Sequence, residues 1–82
     1  MADRIQKNTD GTLSDMQKNE TRTVVHVAGD DAFARRLYSM GFTPDTPVTC
    51  VAVSPIGGIK AYRVAGTIVA LRTADAGRVR IR

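Results

Sequence analysis

Apolar positions along this chain change spacing several times, and Asp, Gly or Pro stands where they change. From Thr21 to Ala28 threonine and valine predominate, which suits a strand. Alternation there predicts Thr23, Val25 and Val27 on one face and Val24 and His26 on the other. The spacing then becomes helical: Phe33, Leu37 and Met40 recur at three and four residues and predict one packed helix face. Asp30 or Asp31 supplies the N-cap, and its carboxylate suits the positive end of the helix. Gly41 can take the left-handed conformation that closes a helix, and Pro44 discourages its renewal.

Beyond Pro44 the pattern is strand and turn. Val48 to Val53 predicts a strand with Cys50 inside it. Pro55-Ile56-Gly57-Gly58 predicts a turn whose glycines admit positive φ. Ala61 to Ala65 follows as a strand with Tyr62 and Val64 on one face. Gly66 bends the chain before the strand from Thr67 to Leu71. Thr73-Ala74-Asp75-Ala76 predicts one helical turn capped by Thr73. In a last strand Val79 and Ile81 alternate with Arg78, Arg80 and Arg82. Near the start, Leu13-Ser14-Asp15-Met16 predicts a single turn capped by Ser14, with Leu13 and Met16 as apolar anchors. Residues 1–12 show no apolar periodicity and are read as a flexible tail before one domain over residues 13–82. About five short strands with one inserted helix define a mainly β fold, most simply a small SH3-like barrel.

Eighty-two residues allow one domain, and 43% apolar with 24% charged residues is a globular composition. The single cysteine excludes an intrachain disulfide and fits a reducing compartment. No apolar run approaches the roughly 20 residues that cross a bilayer, and the first residues lack the apolar segment of a secretory signal. The expected location is therefore cytoplasmic, with no direct membrane insertion. The formal charge of +4 is unevenly spread. Residues 60–82 carry Lys60, Arg63, Arg72, Arg78, Arg80 and Arg82 against Asp75 alone, and such a concentration steers encounters with acidic partners.

Enzyme chemistry finds no support in the pattern. His26 and Cys50 are far apart, with no ligand spacing for a metal and no carboxylate to orient a base. Asp30 and Asp31 are explained by capping. The glycine turn runs into a strand, whereas a phosphate-binding loop needs Gly-Lys-Ser/Thr running into a helix. No cofactor is implied. Arg78, Arg80 and Arg82 form a basic face that suits a solvated, charge-protected edge; an alternative is a small nucleic-acid-binding barrel. The four aromatics do not interleave with those arginines, so nucleic acid is not the expected partner. The better candidate for a protein partner is the outward side of the helix (Arg35, Arg36, Tyr38, Ser39). The turn Pro55, Ile56, Gly57, Gly58 with Ile59 reads first as a structural hairpin tip and, if it has a function, presents its apolar side chains to a partner.

The ordered set Leu13-Ser14-Asp15-Met16, Val24-Val25, Arg36-Leu37, Met40-Gly41-Phe42-Thr43-Pro44, Val48, Pro55-Ile56-Gly57-Gly58, Gly66, Ala70-Leu71-Arg72 and Ala76 resembles the ferrous iron transport protein A (FeoA) family. The resemblance runs from Leu13 to Ile81. Lys18-Asn19 stand where Pro-Gly is common, and Ile59 stands where proline or aspartate often follows the glycines. The resemblance implies an SH3-like barrel with a non-enzymatic, cytoplasmic role in bacterial ferrous iron uptake. The implied partner is the cytoplasmic portion of the FeoB-type GTP-binding membrane iron permease. A ferrous-ion-binding regulator is a further alternative, and an exposed strand edge leaves room for weak self-association. A similar barrel ends the iron-dependent repressors; with no helix-turn-helix segment before it, this chain is expected to be the stand-alone form.

Overall fold

A computed structural model describes residues 11–82. Five strands, β1 (Thr21–Val27), β2 (Pro47–Val53), β3 (Ile59–Val64), β4 (Thr67–Arg72) and β5 (Val79–Ile81), form one antiparallel sheet in the order β4-β3-β2-β1-β5. Helix α1 (Ala32–Met40) is inserted between β1 and β2, a short helix α2 (Thr73–Ala76) follows β4, and a 3-10 turn spans Leu13–Asp15. The sheet curls because β1 serves two partners. Its first half pairs with β2 (Thr21↔Thr49, Thr23↔Pro47) and its second half with β5 (Val24↔Ile81, Val27↔Val79).

That division corrects the simple alternation expected for β1. A bulge between Val24 and His26 sends both Val24 and Val27 into the core and leaves Val25 39% exposed. An extra residue reverses the facing of everything beyond it, so a period-2 reading fails at that point. A second irregularity, between Cys50 and Ala52, bends β2 against β3. Cys50, Tyr62, Val64, Val48, Leu71 and Phe42 form the core with Val24, Val27, Val79 and Ile81.

α1 follows its sequence signals closely. The Asp31 carboxylate accepts from Ala34 N at 3.1 Å, so Asp31 and not Asp30 is the cap. Gly41 closes the helix at φ +115°, with its N–H donating to Leu37 O and Tyr38 O. Leu37 and Ala34 are fully buried, while Phe33 and Met40 are half-buried against the core. A buried leucine is worth about 2 kcal/mol in apolar transfer, and this face docks the helix.

Two caps differ from expectation. At the 3-10 turn the cap is Thr12, not Ser14: Thr12 N donates to Asp15 Oδ2 at 2.9 Å, and Asp15 N donates to Thr12 O at 2.9 Å. Ser14 Oγ instead pairs with Thr12 Oγ1 at 2.7 Å. At α2 the cap position is Arg72, whose backbone is still extended, and Thr73 is already helical. β3 starts at Ile59, ahead of the expected Ala61, because Ser54 N donates to Ile59 O across the glycine turn at 3.0 Å.

Of the expected tail, residues 1–10 lie outside the described residues. Gly11 and Thr12 are tied to the barrel: Ile81 N donates to Gly11 O at 2.9 Å, and Thr12 bridges to Arg80. The segment after them seals one end of the core. The buried Tyr62 hydroxyl donates to Leu13 O at 3.0 Å, and Lys60 Nζ donates to Ser14 O at 2.8 Å and Met16 O at 2.6 Å. Asn19 takes φ +73°, a conformation asparagine tolerates better than most residues.

Candidate functional site

Tyr62 and Cys50 stand opposite each other on neighbouring strands, both fully buried. Burial pushes the Tyr62 phenol well above its ordinary range, with the neighbouring Cys50 adding to the shift. Cys50 Sγ is a core group, 3.8 Å from Ala52 O. His26 is exposed on β1 opposite Arg80. Among the described residues no three His, Cys, Asp or Glu side chains come together as a metal site, and no ligand-sized cavity opens. The chemistry these residues present is that of a surface.

The outward side of α1 is exposed but partly committed to the fold. Arg35 Nη1 donates to Asp30 O at 2.8 Å, and Ser39 Oγ donates to Arg36 O at 2.8 Å. Tyr38 is 37% exposed, with its hydroxyl 3.4 Å from Val27 O. Arg36 alone of the four keeps its side chain without a polar partner among the described residues.

The three arginines of the basic face do not act together. Only Arg80 lies within β5, and it points outward between buried Val79 and Ile81. Arg78 turns towards the start of α1. Its guanidinium bonds the Asp31 carboxylate at 2.6 Å and Ala28 O at 3.1 Å, and lies 5.3 Å from the centre of the Phe33 ring. The Arg78 hydrogen bond, followed by the one from Ala34 N, holds the Asp31 carboxyl below its ordinary value, and Asp31 in turn raises Arg78. Arg82 pairs with Asp45 at 2.8 Å. Arg80 is the one member with no such partner among the described residues.

The turn between β2 and β3 is the most open part of the described surface. Gly57 and Gly58 take φ +89° and +83°, and Gly57 N donates to Ser54 O at 3.0 Å. Side chains at those two positions would meet nothing within 4 Å. Ile56 is 93% exposed, with Ile59 at 45% and Val53 at 42% beside it. The fold does not merge this tip with the helix surface. Gly41, at the end of α1, abuts Ala65 at the opposite end of β3, so the length of a six-residue strand separates them.

Sequence reasoning missed two features. One is the Lys60–Tyr62 clamp on the N-terminal segment, for which lysine and tyrosine two apart on a strand are too weak a signal. The other is the outer face of β3 and β4. There Ala52, Ala61 and Ala70 line up across β2, β3 and β4, with Arg63 opposite the exposed Ile68 and Ile59 opposite Arg72. Only the register reveals that row.

A curled five-stranded antiparallel sheet, sealed by an N-terminal turn and carrying one inserted helix, is an SH3-like barrel of the accessory-domain kind. The model of the FeoA domain matches residues 11–82. The chain therefore belongs to the FeoA family, a family of ferrous iron transport and not a known enzyme family. It is similar to FeoA of Stenotrophomonas maltophilia, an SH3-domain protein solved in complex with zinc. The two are 35% identical with a TM-score of 0.78, covering 87% of this chain and 88% of that one. FeoA of Chlorobium tepidum shares the fold at a TM-score of 0.79 and 21% identity, over 87% of this chain and 68% of that one. A curated relative, the Fe(2+) transport protein A/Fe(2+) transporter FeoB fusion protein of Porphyromonas gingivalis, is 29% identical over 69 residues. That stretch is 84% of this chain but spans only 8% of the fusion protein. No described helix is long and apolar enough to cross a membrane.

Proposed function

We propose that this chain is a non-enzymatic accessory protein of ferrous iron uptake that acts by contact with the cytoplasmic part of a FeoB-type GTP-binding permease. The observation that carries the reading is the P. gingivalis relative, in which a segment similar to this chain is joined to a FeoB transporter. A fusion keeps two modules at high effective concentration, which makes a contact of modest affinity effective.

The contact surface in this reading is the β2–β3 tip. The Ile56 side chain is 93% exposed, set in the turn between Pro55 and the two glycines beyond the ends of the strands. Burying such a side chain against a partner removes its whole apolar area from water, worth about 2 kcal/mol. The helix side chains Arg35, Tyr38 and Ser39 already have partners in the fold, so they contribute less. Arg36 and the net positive charge serve encounter more than residence.

The test is an NMR titration of the labelled chain with the soluble cytoplasmic portion of the cognate permease, repeated with the full permease in detergent. Amides from Ser54 to Ile59 should shift, and Ile56→Asp should abolish the shifts while leaving the thermal midpoint unchanged. The absence of shifts with both preparations would overturn the contact reading. Shifts confined to α1 would move the surface to Arg35, Arg36, Tyr38 and Ser39.

A further inference from the structure

The two edges of the sheet are treated differently. At β5 the edge is covered: Thr12 bridges Arg80, and Gly11 O accepts from Ile81 N. At β4 nothing among the described residues plays that part. Ala65 and Gly66, at φ +51° and +78°, make a two-residue turn that pairs Val64 with Thr67. Such a turn places Val64 and Thr67 in a hydrogen-bonded pair, so Thr67, Val69 and Leu71 turn their backbone groups towards β3. The same parity reappears where Thr73 N donates to Gly58 O at 2.9 Å. The N–H and C=O groups of Ile68 and Ala70 therefore point away from the sheet.

Natural edges are blunted by proline, by a bulge or by charged side chains, lysine above all. β4 reads Thr-Ile-Val-Ala-Leu-Arg, without proline and without a register shift against β3, and its one charge, Arg72, stands at its last position. Its outward side chains are Ile68, 58% exposed, then Ala70 and Arg72. Behind them on β3 stand Ile59, Ala61 and Arg63. This outer face carries two arginines, and neither has an acidic partner among the described residues. No carboxylate lies on the outer face of either strand.

We infer that the free edge of β4 is a docking site for an extended polypeptide segment that alternates apolar and acidic residues and adds to the sheet as a sixth strand. The backbone of Ile68 and Ala70 supplies the ladder, in the manner of β-strand addition. Apolar side chains of the segment on the inner face extend the core beside half-buried Val69. Acidic side chains on the outer face meet Arg72 directly, within the reach of a cross-strand charge pair, while Arg63, one strand further in behind Ile68, adds to the positive field over that face. A second copy of this chain is the poorer occupant, because antiparallel pairing of two β4 edges gathers four arginines on one surface with no carboxylate. The site goes beyond the proposed permease contact: its ladder groups, on Ile68 and Ala70, belong to β4 and not to the β2–β3 turn, only Ile59 borders both, and it holds whichever protein supplies the segment.

The experiment uses the full chain and two synthetic peptides of about eight residues, one alternating valine with glutamate and one alternating valine with lysine. In an NMR titration the glutamate peptide should shift the amides of Ile68, Ala70 and Arg72 and slow their hydrogen exchange. The lysine peptide should bind at least about ten-fold more weakly. Ala70→Pro removes an N–H that faces away from β3, which an edge strand tolerates, and should abolish binding. Arg63→Glu, at an exposed position outside the edge ladder, should narrow or reverse the preference between the peptides. Equal binding of the two peptides, or shifts away from β4, would overturn the proposal. So would concentration-dependent shifts of the β4 amides in the protein alone, which would assign the edge to a second copy.

Discussion

Gly41 ends α1 against the β3–β4 turn, and substituting alanine there should be among the most damaging single-methyl changes in the chain. Two costs combine. At φ +115° any side chain is strained, and left-handed backbone costs a non-glycine residue roughly 1–2 kcal/mol. A Cβ at Gly41 would also lie 2.7 Å from Ala65 Cβ and 3.4 Å from Val64 Cγ2, where carbon atoms prefer about 3.5–4.0 Å. Ala65 Cβ cannot rotate away, so the backbone must move, and overpacking of that kind costs about 1–3 kcal/mol. Gly41→Ala should therefore lose about 2–5 kcal/mol, which for a domain of this size lowers the thermal midpoint by at least about 10 °C. Gly66→Ala is the internal control: φ is +78° there, but nothing lies within 4 Å, so only the first cost applies. Adding Ala65→Gly to Gly41→Ala removes the close contact and should recover about 1–3 kcal/mol beyond the effect of Ala65→Gly alone. Urea denaturation of the four variants measures every term. If Gly41→Ala costs no more than Gly66→Ala, or couples to Ala65→Gly by less than about 0.5 kcal/mol, the close approach is not what makes glycine necessary.

Tyr62→Phe removes the donor to Leu13 O, which still accepts from Met16 N at 3.0 Å; the loss should be about 1 kcal/mol by denaturation, not the larger penalty of an orphaned carbonyl. The Asp31 carboxyl titrates below its ordinary 3.8 in the folded chain, and Glu20, held by Gln17 N and Arg22, titrates below its ordinary 4.5. Both contribute stability that is present above those ordinary values and lost as pH falls through the lowered folded ones, so the thermal midpoint should drop below about pH 4.5. Asp31→Asn, which keeps a capping oxygen but not the charge, should leave a shallower decline. Cys50 is fully buried, so an aromatic disulfide reagent should label it only as fast as the barrel opens, and at once in urea. Rapid labelling in buffer would contradict its place in the core.

The helix was legible because its signals are local. Asp31, Leu37 and Gly41 each act within one turn of the chain, and each occupies the position its chemistry suggests. Tyr62 and Val64 were legible for the same reason, since β3 carries no bulge and strict alternation applies. β1 was not, because its bulge answers to β5, more than fifty residues away, and period 2 holds only while one partner runs the strand's length. The Thr12 cap escaped notice because Ser14 is an equally good capping residue two positions on; the link to Arg80 is what anchors Thr12. The candidate surfaces divide in the same way. The exposure of Ile56 follows from a Pro-Ile-Gly-Gly turn alone, whereas the separate fates of Arg78, Arg80 and Arg82 depend on Asp31 and Asp45, which only the folded chain brings near.

Those fates decide how the positive charge works. Arg78 and Arg82 sit in solvent-accessible pairs that water and salt screen, so a strongly anionic partner can draw them away. Arg78 would resist more, because leaving Asp31 also forfeits its bonds to Ala28 O and its place beside the Phe33 ring. The arginines whose side chains have no polar partner among the described residues, Arg36, Arg63, Arg72 and Arg80, are spread over α1, the outer face of β3 and β4, and β5. A phosphate-tracking surface needs its charges in one stripe, and this arrangement does not provide one. Dispersed charge raises encounter rates with acidic partners from many directions, while the persistence of a complex rests on local apolar contact. Ile56 at the tip and Ile68 at the β4 edge are the two most exposed large apolar side chains among the described residues, and each lies where the backbone also leaves room for a partner.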